Sequence, residues 1–311
     1  MSFILLGILN SQASGGGGGV AGYFAGGEAS GGNSSVVNKY TFPDDTRSTL
    51  SPGLSAVNIG MGGYANSGVA GYFAGGEEPT WDDVEKFAFP TDSRSVLSNV
   101  LTANRTYTSG FSNSGVAGYI AGGRNPQTAS VDKMSFPSDS VSALGTGLSA
   151  VRSELAAMSN YGVAGYVGGG RGGSPYTENY STVDKFAFPS DSRTTLASGL
   201  STARTQVSAM ADSGTAGYFG GGGGTLVSTV DKFAFPSDSR TTLGSGLSSN
   251  RRGMGGFADS GVAGYFGGGG NSYFTTVDKF AFPSDSRSTL ASGLSPGRQN
   301  AIGGMADIGV V

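Results

Sequence analysis

The sequence contains no cysteine and no histidine, and only one of its 311 residues is tryptophan. The absence of thiolate and imidazole excludes disulfide bridges, a cysteine nucleophile, a Ser-His-Asp triad and zinc or copper sites built on those ligands. Charged residues make up 13% of the chain, with 19 basic and 22 acidic, so we expect no overall attraction to nucleic acid. We therefore predict a protein that is not an enzyme and that holds neither a metal nor a cofactor.

Long hydrophobic runs are also lacking. The one apolar segment near the start of the chain spans residues 3–9, which is too short to cross a bilayer, where about 20 residues are needed. A signal peptide is an alternative, but no basic residue precedes the run. We expect residues 1–15 to form an anchoring peptide, whose apolar side chains are Phe3, Ile4, Leu5, Leu6, Ile8 and Leu9. A strand of the main fold remains an open alternative for this segment.

Glycine is abundant, at 57 residues, and it recurs inside a repeated unit. The unit reads Gly-Val-Ala-Gly-Tyr-Phe-Gly-Gly-Gly at residues 261–269, and related copies lie at 19–27, 68–76, 115–123, 162–170 and 214–222. Its tyrosines are 49, 47, 47, 52 and 47 residues apart: Tyr23, Tyr72, Tyr119, Tyr166, Tyr218 and Tyr265. A propeller blade comprises roughly 40 to 50 residues. Six copies of a unit of this length predict a six-bladed ring.

Each repeat carries four short segments with the pattern of strands, at residues 206–211, 215–221, 229–235 and 240–243 in one copy. The segment 236–239, Pro-Ser-Asp-Ser, has the composition of a turn. We therefore predict an all-β fold over residues 16–311, with four antiparallel strands in each blade. The last segment, 300–307, is a first strand without a second, and 20–25 is a second strand without a first. Pairing of these terminal segments would close the ring and leave no open edge.

The order of these motifs resembles the kelch repeat, which has a double glycine, a following hydrophobic strand and a late tryptophan. The double glycines are Gly26-Gly27, Gly75-Gly76, Gly122-Gly123, Gly169-Gly170, Gly221-Gly222 and Gly268-Gly269. The late tryptophan is missing, and the nearest positions hold Arg47, Arg94, Val141, Arg193, Arg240 and Arg287. The resemblance implies a kelch-like six-bladed β-propeller whose packing between blades differs from that of the family.

Antiparallel strands put the connections of each blade on two faces. Turns after strands one and three carry repeated aspartates, from which we expect an acidic rim of structural turns. The repeated Asp-Lys pairs, such as Asp132-Lys133, we expect to stabilise the sheets. The opposite face collects the loops that differ between copies and the connections between blades. Loops that vary on a repeated scaffold usually carry binding groups.

The arginines and aromatics of that second face are the candidate ligand- or partner-binding residues. They are Trp81, Arg124, Arg171, Tyr176, Tyr180, Tyr273 and Phe274 in the loops, and Arg105, Arg152, Arg204 and Arg252 in the connections. Such side chains suit sugars and protein interfaces. Ion pairing of the arginines and packing of the aromatics on neighbouring blades or another subunit remain alternatives. The acids Glu77, Glu78, Asp82 and Asp83 share one loop, but nothing marks them as a catalytic pair.

The units at 263–268 and 277–290 also resemble repeats of virion-associated fibre or surface proteins of tailed bacteriophages. The resemblance implies a structural tail-fibre protein made in the host cytoplasm and located in the virion. We expect it to act as an adhesin that binds a host-cell surface glycan or receptor, with a decoration or connector protein as the alternative. The expected partners are other virion proteins, contacted through the N-terminus, in an assembly with several copies. We expect no nucleic-acid partner and no membrane span.

Overall fold

The computed structural model describes residues 21–77, 82–98, 100–173 and 175–307. The predicted anchoring segment therefore lies outside the described residues. Every regular element within the described ranges is a β-strand. Among these residues no helix is long and apolar enough to span a membrane.

The strands follow one another with the period of the sequence repeat. The first repeat contributes β1 (Ala21–Ala25), β2 (Glu28–Ala29), β3 (Gly32–Asn33), β4 (Val37–Thr41) and β5 (Thr46–Thr49). The next two contribute β6 (Gly62–Asn66), β7 (Ala70–Ala74), β8 (Val84–Ala88), β9 (Ser93–Val96), β10 (Ser109–Asn113), β11 (Ala117–Ala121), β12 (Val131–Ser135) and β13 (Ser140–Ala143). The fourth contributes β14 (Ala156–Asn160), β15 (Ala164–Gly168), β16 (Arg171–Gly172), β17 (Glu178–Asn179), β18 (Val183–Ala187) and β19 (Ser192–Thr195). The remaining strands are β20 (Ser208–Asp212), β21 (Ala216–Gly220), β22 (Val230–Ala234), β23 (Ser239–Thr242), β24 (Gly255–Asp259), β25 (Ala263–Gly267), β26 (Val277–Ala281), β27 (Ser286–Thr289) and β28 (Gly303–Ala306).

The described strands form six four-stranded antiparallel sheets, which are the blades of a β-propeller, as predicted. Blade 1 has the order β28-β1-β4-β5, and blades 2 and 3 are β6 to β9 and β10 to β13. Blade 4 is β14-β15-β18-β19, and blades 5 and 6 are β20 to β23 and β24 to β27. Two short hairpins, β2-β3 and β16-β17, extend the loops of blades 1 and 4.

The first strands of neighbouring blades contact one another around the axis of the propeller. The ring closes at blade 1, where the terminal strands pair in antiparallel register and Tyr23 lies opposite Met305. This pairing confirms the closure predicted from the two incomplete repeats. No strand edge is left open at the junction between the chain ends, because β28 supplies the inner strand of blade 1.

Contact between the blades depends on the glycine of each Ala-Gly-Tyr strand. A Cβ atom added to Gly165 would lie 2.1 Å from the ring of Phe111, which belongs to the inner strand of the preceding blade. The same close approach recurs around the ring, in the pairs Gly22 with Phe257, Gly71 with Met305, Gly118 with Tyr64, Gly217 with Met158, and Gly264 with Met210. A side chain at this position would force the blades apart, which explains why the repeat keeps glycine here.

The repeated tyrosine joins each blade to the next one. Its ring stacks on the phenylalanine that precedes the turn proline of the following blade, with centroids 5.0 to 5.6 Å apart. Tyr166, for example, stacks on Phe235 at 5.0 Å. The blades thus have an aromatic contact at every junction although the late tryptophan is absent from the repeat.

The same tyrosines donate a hydrogen bond to the turn aspartates of the following blade. Tyr166 bonds to Asp238 at 2.8 Å, and Lys185 of the same blade forms an ion pair with Asp238 at 2.6 Å. The equivalent aspartates are Asp45, Asp92, Asp139, Asp191 and Asp285. The expected acidic rim is therefore neutralised at these six turns. The Asp-Lys pairs do not bond to each other: the lysine reaches the next blade, and the aspartate of each pair points into its own blade.

Candidate functional site

Three of the predicted binding residues, Arg105, Arg152 and Arg204, are buried, with 0 to 1% of their surface exposed. The connection that carries each one directs the side chain into the following blade. They therefore do not belong to an exposed binding face, which corrects the prediction for these three residues. Arg251 and Arg298 occupy the same position in their repeats and are buried to the same degree.

Arg152 illustrates what the buried guanidinium does. Its Nη1 atom donates to the carbonyl oxygens of Gly169 and Thr182, at 2.8 and 3.0 Å. Its Nη2 atom donates to Asp184 at 2.5 Å. Burial lowers the pKa of Arg152, and the carboxylate of Asp184 partly offsets this effect. The arginine satisfies carbonyl groups where the variable loop leaves and re-enters the sheet, so it fixes the base of that loop.

The pairing changes at the junctions of blades 1 and 2. Asn38 takes the place of the aspartate in blade 1, so Arg298 donates to the amide oxygen of Asn38 at 2.8 Å. Burial lowers the pKa of Arg298 to about 10. In blade 2 the acid is Glu85, and Asn58 takes the place of the arginine. Burial raises the pKa of Glu85, whose two carboxylate oxygens share one bifurcated hydrogen bond from the backbone N–H of Ser55.

We call the face that carries the loops after strand two and the connections between blades the variable face. At its centre, the residue two positions after each buried arginine, or after Asn58 in blade 2, has a positive φ angle. These residues are Gly60, Tyr107, Glu154, Gln206, Gly253 and Asn300. Backbone hydrogen bonds of 2.7 to 3.3 Å join this part of neighbouring connections into a closed ring around the axis, with Thr108 as the donor to Gly60 and with Ala301 and Ile302 taking part in place of Asn300. Below the ring lies a small cavity of about 60 Å³ on the axis. The backbone is thus repeated here while the side chains differ.

A second set of positions surrounds this ring, directly after each double glycine. The residues are Glu28, Glu77, Arg124, Arg171, Gly223 and Gly270. Each donates its backbone N–H to the carbonyl of the connection beside it, as Arg171 does to Ser153 at 2.8 Å. Blades 1 and 2 therefore present acids, blades 3 and 4 present arginines, and blades 5 and 6 present glycines. The face is charged unevenly although its backbone repeats.

Arg124 lies at the boundary between the acidic and basic sectors. Its Nη2 and Nη1 atoms are 3.3 Å from Glu77 and Glu154 respectively. Its guanidinium also lies 3.9 Å from the ring centre of Tyr107. Thr205 donates a hydrogen bond of 2.6 Å to the other oxygen of Glu154. The carboxylate of Glu154 is consequently held by two neighbouring blades, with only 8% of the residue exposed.

A polar cavity of about 300 Å³ opens beside Glu154, between blades 4 and 5. Two of the predicted binding residues, Arg171 and Arg252, line it together. The other lining residues are Glu154, Thr177, Asn179, Thr205, Gln206 and Gly224. Arg252 leans over the space that Gly223 leaves open, since a Cβ atom on that glycine would lie 3.1 Å from its Cδ atom. We call this cavity the blade 4/5 cavity.

The predicted aromatic residues are distributed over the same face. The carbonyl of Tyr176 accepts a hydrogen bond from Nε of Arg171, and the side chain of Tyr176 is 36% exposed. Tyr180 donates to Glu178 at 3.0 Å. In blade 6, Tyr273 donates to Glu28 at 3.4 Å, and half-buried Phe274 covers Gly270. Trp81 and Glu78 lie outside the described residues.

The sequence prediction missed the neutral polar groups of the blade 4/5 cavity and Glu154. Glu154 has a signal in the repeat, since it stands two residues after Arg152, in register with Tyr107 and Gln206. Thr177 and Asn179 lie in the longest variable loop, which the 52-residue spacing indicates. That extra length forms the β16-β17 hairpin, in which Arg171 lies opposite Asn179.

The opposite face, which we call the turn face, carries a different chemistry. The turns between strands one and two expose an apolar residue near the axis in several blades: Val69, Val116, Val163 and Val262, at 48 to 51%. Tyr161 lies beside Val163 and is 57% exposed. Ala21 and Asp307, the two ends of the described chain, are joined there by a backbone hydrogen bond of 2.9 Å.

No protein-family model matches the chain, and a comparison with curated proteins gave no match.

Proposed function

We propose that this chain is a kelch-like propeller of a bacteriophage virion, a tail-fibre or surface protein, and that its variable face binds a host-cell surface glycan or protein. The single observation that carries this proposal is the contrast within each repeat. Buried positions and inter-blade contacts are nearly the same in all blades, whereas the ring at the centre of the variable face has different side chains in a repeated backbone.

Backbone conformation strengthens this argument. Tyr107, Glu154 and Gln206 have φ angles of 56°, 56° and 50°, a region that favours glycine, and blades 2 and 6 do use glycine at this position. Residues in strained backbone conformations cluster at functional sites, and they persist only where the surrounding structure holds them in place. Three different polar side chains at one strained position thus support a role in recognition.

The turn face supports attachment to other virion proteins. Its exposed valines lie on the same side of the ring as Ala21, the first described residue. An exposed apolar patch is typical of a protein interface. The same observation favours a second candidate, a decoration or connector protein whose turn face and loops both contact virion subunits.

We also propose that binding proceeds without catalysis. Glu77, one of the described acids from the group of loop carboxylates in the sequence, forms an ion pair with Arg124. Loss of host polysaccharide chain length on incubation with the protein, abolished by Glu77→Gln, would contradict this part.

The test is binding of the full chain to cells of the host strain and to their purified surface polysaccharide. The variant Tyr176→Ala with Arg124→Ala alters the variable face, and Tyr161→Ala removes an exposed tyrosine from the turn face as the matched control. We expect saturable binding that the first variant loses and the control keeps. Binding that only the control loses, or no binding by the folded wild-type protein, would move the assignment to the connector role.

A further inference from the structure

The blade 4/5 cavity is a polar concavity of about 300 Å³, and a departure from the repeat creates it. The loop after the second strand of blade 4 is five residues longer than the loops of the 47-residue repeats, and the extra length folds as β16-β17. The hairpin places Asn179 against Gly224 of blade 5, where a Cβ atom would lie 2.9 Å from the Asn179 amide nitrogen. One wall of the cavity is therefore present in this blade alone.

The charges of the cavity are not balanced as they are elsewhere in the protein. Each of the six lysines forms an ion pair with a turn aspartate of the next blade, within the described part of the chain. Nine arginines also pair with acids. The four without an acidic partner among the described residues are Arg47, Arg298, Arg171 and Arg252. For Arg47 and Arg298 the cause is Asn38, which replaces the aspartate of the other blades.

Arg171 and Arg252 differ from these two arginines, because both line the cavity. The Nε atom of Arg252 is buried without a described hydrogen-bond partner, as is the Nε atom of most arginines in the protein, so its lack of an acid is what sets Arg252 apart. Among the described residues, the guanidinium of Arg171 donates one hydrogen bond, from Nε to the carbonyl of Tyr176. Two guanidinium groups with free donors in one concave site attract an oxyanion, which accepts paired hydrogen bonds from this geometry.

The remaining lining is neutral except for Glu154. Thr177, Thr205, Asn179 and Gln206 provide hydroxyl and amide groups, and the Oε1 atom of Gln206 is buried without a donor. Glu154 offsets the positive charge of the two arginines only in part, because it is one carboxylate against two guanidinium groups and its oxygens already bond to Arg124 and Thr205. Such groups suit the hydroxyls of a sugar ring, and a volume of about 300 Å³ lies at the lower end of small-ligand pockets.

We infer that the blade 4/5 cavity binds one acidic sugar residue of a polysaccharide, with Arg171 and Arg252 on its carboxylate or sulfate group. This inference rests on the proposed function and names the ligand class that the variable face takes. The neutral side chains of Asn179 and Gln206 contact the sugar hydroxyls and select against a free inorganic ion.

The experiment is calorimetric titration of the full chain with three probes: oligogalacturonate, which carries carboxylates, a sulfated galactan fragment, and a neutral dextran fragment. The variants are Arg171→Gln and Arg252→Gln. The matched control is Arg47→Gln, which also lacks an acidic partner but lies in the outer strand of blade 1. We expect at least one acidic probe to bind, dextran not to bind, and each cavity variant to lose affinity by about tenfold or more. The control should bind as the wild type does.

Equal binding of acidic and neutral probes, or unchanged affinity in both cavity variants, would overturn the inference. Host-cell binding is measured on the same preparations. If cells bind the cavity variants as well as they bind the wild type, the cavity inference fails and the proposed function stands. If an acidic probe binds through the arginines but cells do not bind, the cavity inference stands and host attachment fails.

Discussion

The hydroxyl of Tyr265 in blade 6 donates a hydrogen bond of 2.7 Å to Oδ1 of Asp45 in blade 1. Lys279 approaches the other oxygen of Asp45 at 2.6 Å. The same three residue types join every other pair of neighbouring blades. Side chains therefore close the ring with the same contact at the junction of the chain ends as elsewhere, in addition to the pairing of β28 with β1.

Removing this contact should destabilise the propeller. Asp45→Ala deletes the acceptor for both Tyr265 and Lys279, and hydrogen bonds to charged groups contribute about 1.5 to 3 kcal/mol each. We expect a loss of about 2 to 3 kcal/mol in the free energy of unfolding in urea, and about 1 to 2 kcal/mol for Tyr265→Phe. Asp44→Ala, one residue away and exposed, is the control and should be neutral. A neutral Asp45→Ala variant would show that strand pairing alone closes the ring.

Restoring the missing acid should stabilise blade 1. Asn38→Asp would give the buried Arg298 the carboxylate that its counterparts have, at the cost of the hydrogen bond of 3.1 Å from Asn38 to the carbonyl of Ser295. We expect the free energy of unfolding to rise by about 1 to 2 kcal/mol, since charge-assisted hydrogen bonds are roughly twice as strong as neutral ones. Equilibrium unfolding at pH 7 measures it, with the exposed Asn271→Asp as control. A destabilised Asn38→Asp variant would contradict the account of this position.

Gly165→Ala should be costly because the new methyl group would overlap the ring of Phe111. Overpacking of this kind costs about 1 to 3 kcal/mol. A Cβ atom on Gly145 meets no described atom within 4 Å, so Gly145→Ala is the matched control and should leave stability unchanged or slightly raised. Thermal unfolding of both variants tests this prediction, and Gly165→Ala should have the lower melting temperature. Equal melting temperatures would contradict the close approach of blades 3 and 4.

Asp307 should make the stability fall with rising pH. Burial, together with Asp259 and Asp92, raises its pKa to about 7, against which Lys39 acts in part. Because the pKa is higher in the folded than in the unfolded state, the folded state binds more protons between about pH 4 and 7, and stability is lost as pH rises through that range.

Asp307→Asn removes this dependence. The free energy of unfolding of the variant should exceed that of the wild type by about 1 to 2 kcal/mol at pH 8 and equal it near pH 4. The difference is smaller than the whole pKa shift would give, because water still reaches the side chain of Asp307. Asn66, Asn113 and Asn160 already occupy the equivalent place in other blades. Urea unfolding at both pH values provides the test, and an equal advantage at both would contradict the raised pKa.

The repeat made the architecture predictable. The spacing of the tyrosines gave the number of blades, and the incomplete repeats at 20–25 and 300–307 gave the closure, because these features depend on order along the chain. The burial of Arg152 was not predictable from its position alone. The direction of the Arg152 side chain depends on Asp184, which lies 32 residues later. The sequence shows that Asp184 and Lys185 alternate in one strand, but it does not show that Arg152 is the partner of Asp184.

The blade 4/5 cavity is beyond prediction from the repeat for a related reason. Arg171 and Arg252 are 81 residues apart and stand at two different positions of the repeat, both of which hold another residue type in most blades. Only the 52-residue spacing indicated that this region differs. The three-dimensional arrangement of two loops and two connections brings their guanidinium groups to one site.

Hydrogen–deuterium exchange of the full chain, with and without purified surface polysaccharide of the host strain, tests most directly that the variable face is the binding face. We expect slower exchange on binding at residues 122–130, 169–182 and 221–229, and no change at the turn-face segments 160–164 and 212–216. Protection of the turn face, with the variable loops unchanged, would contradict the assignment.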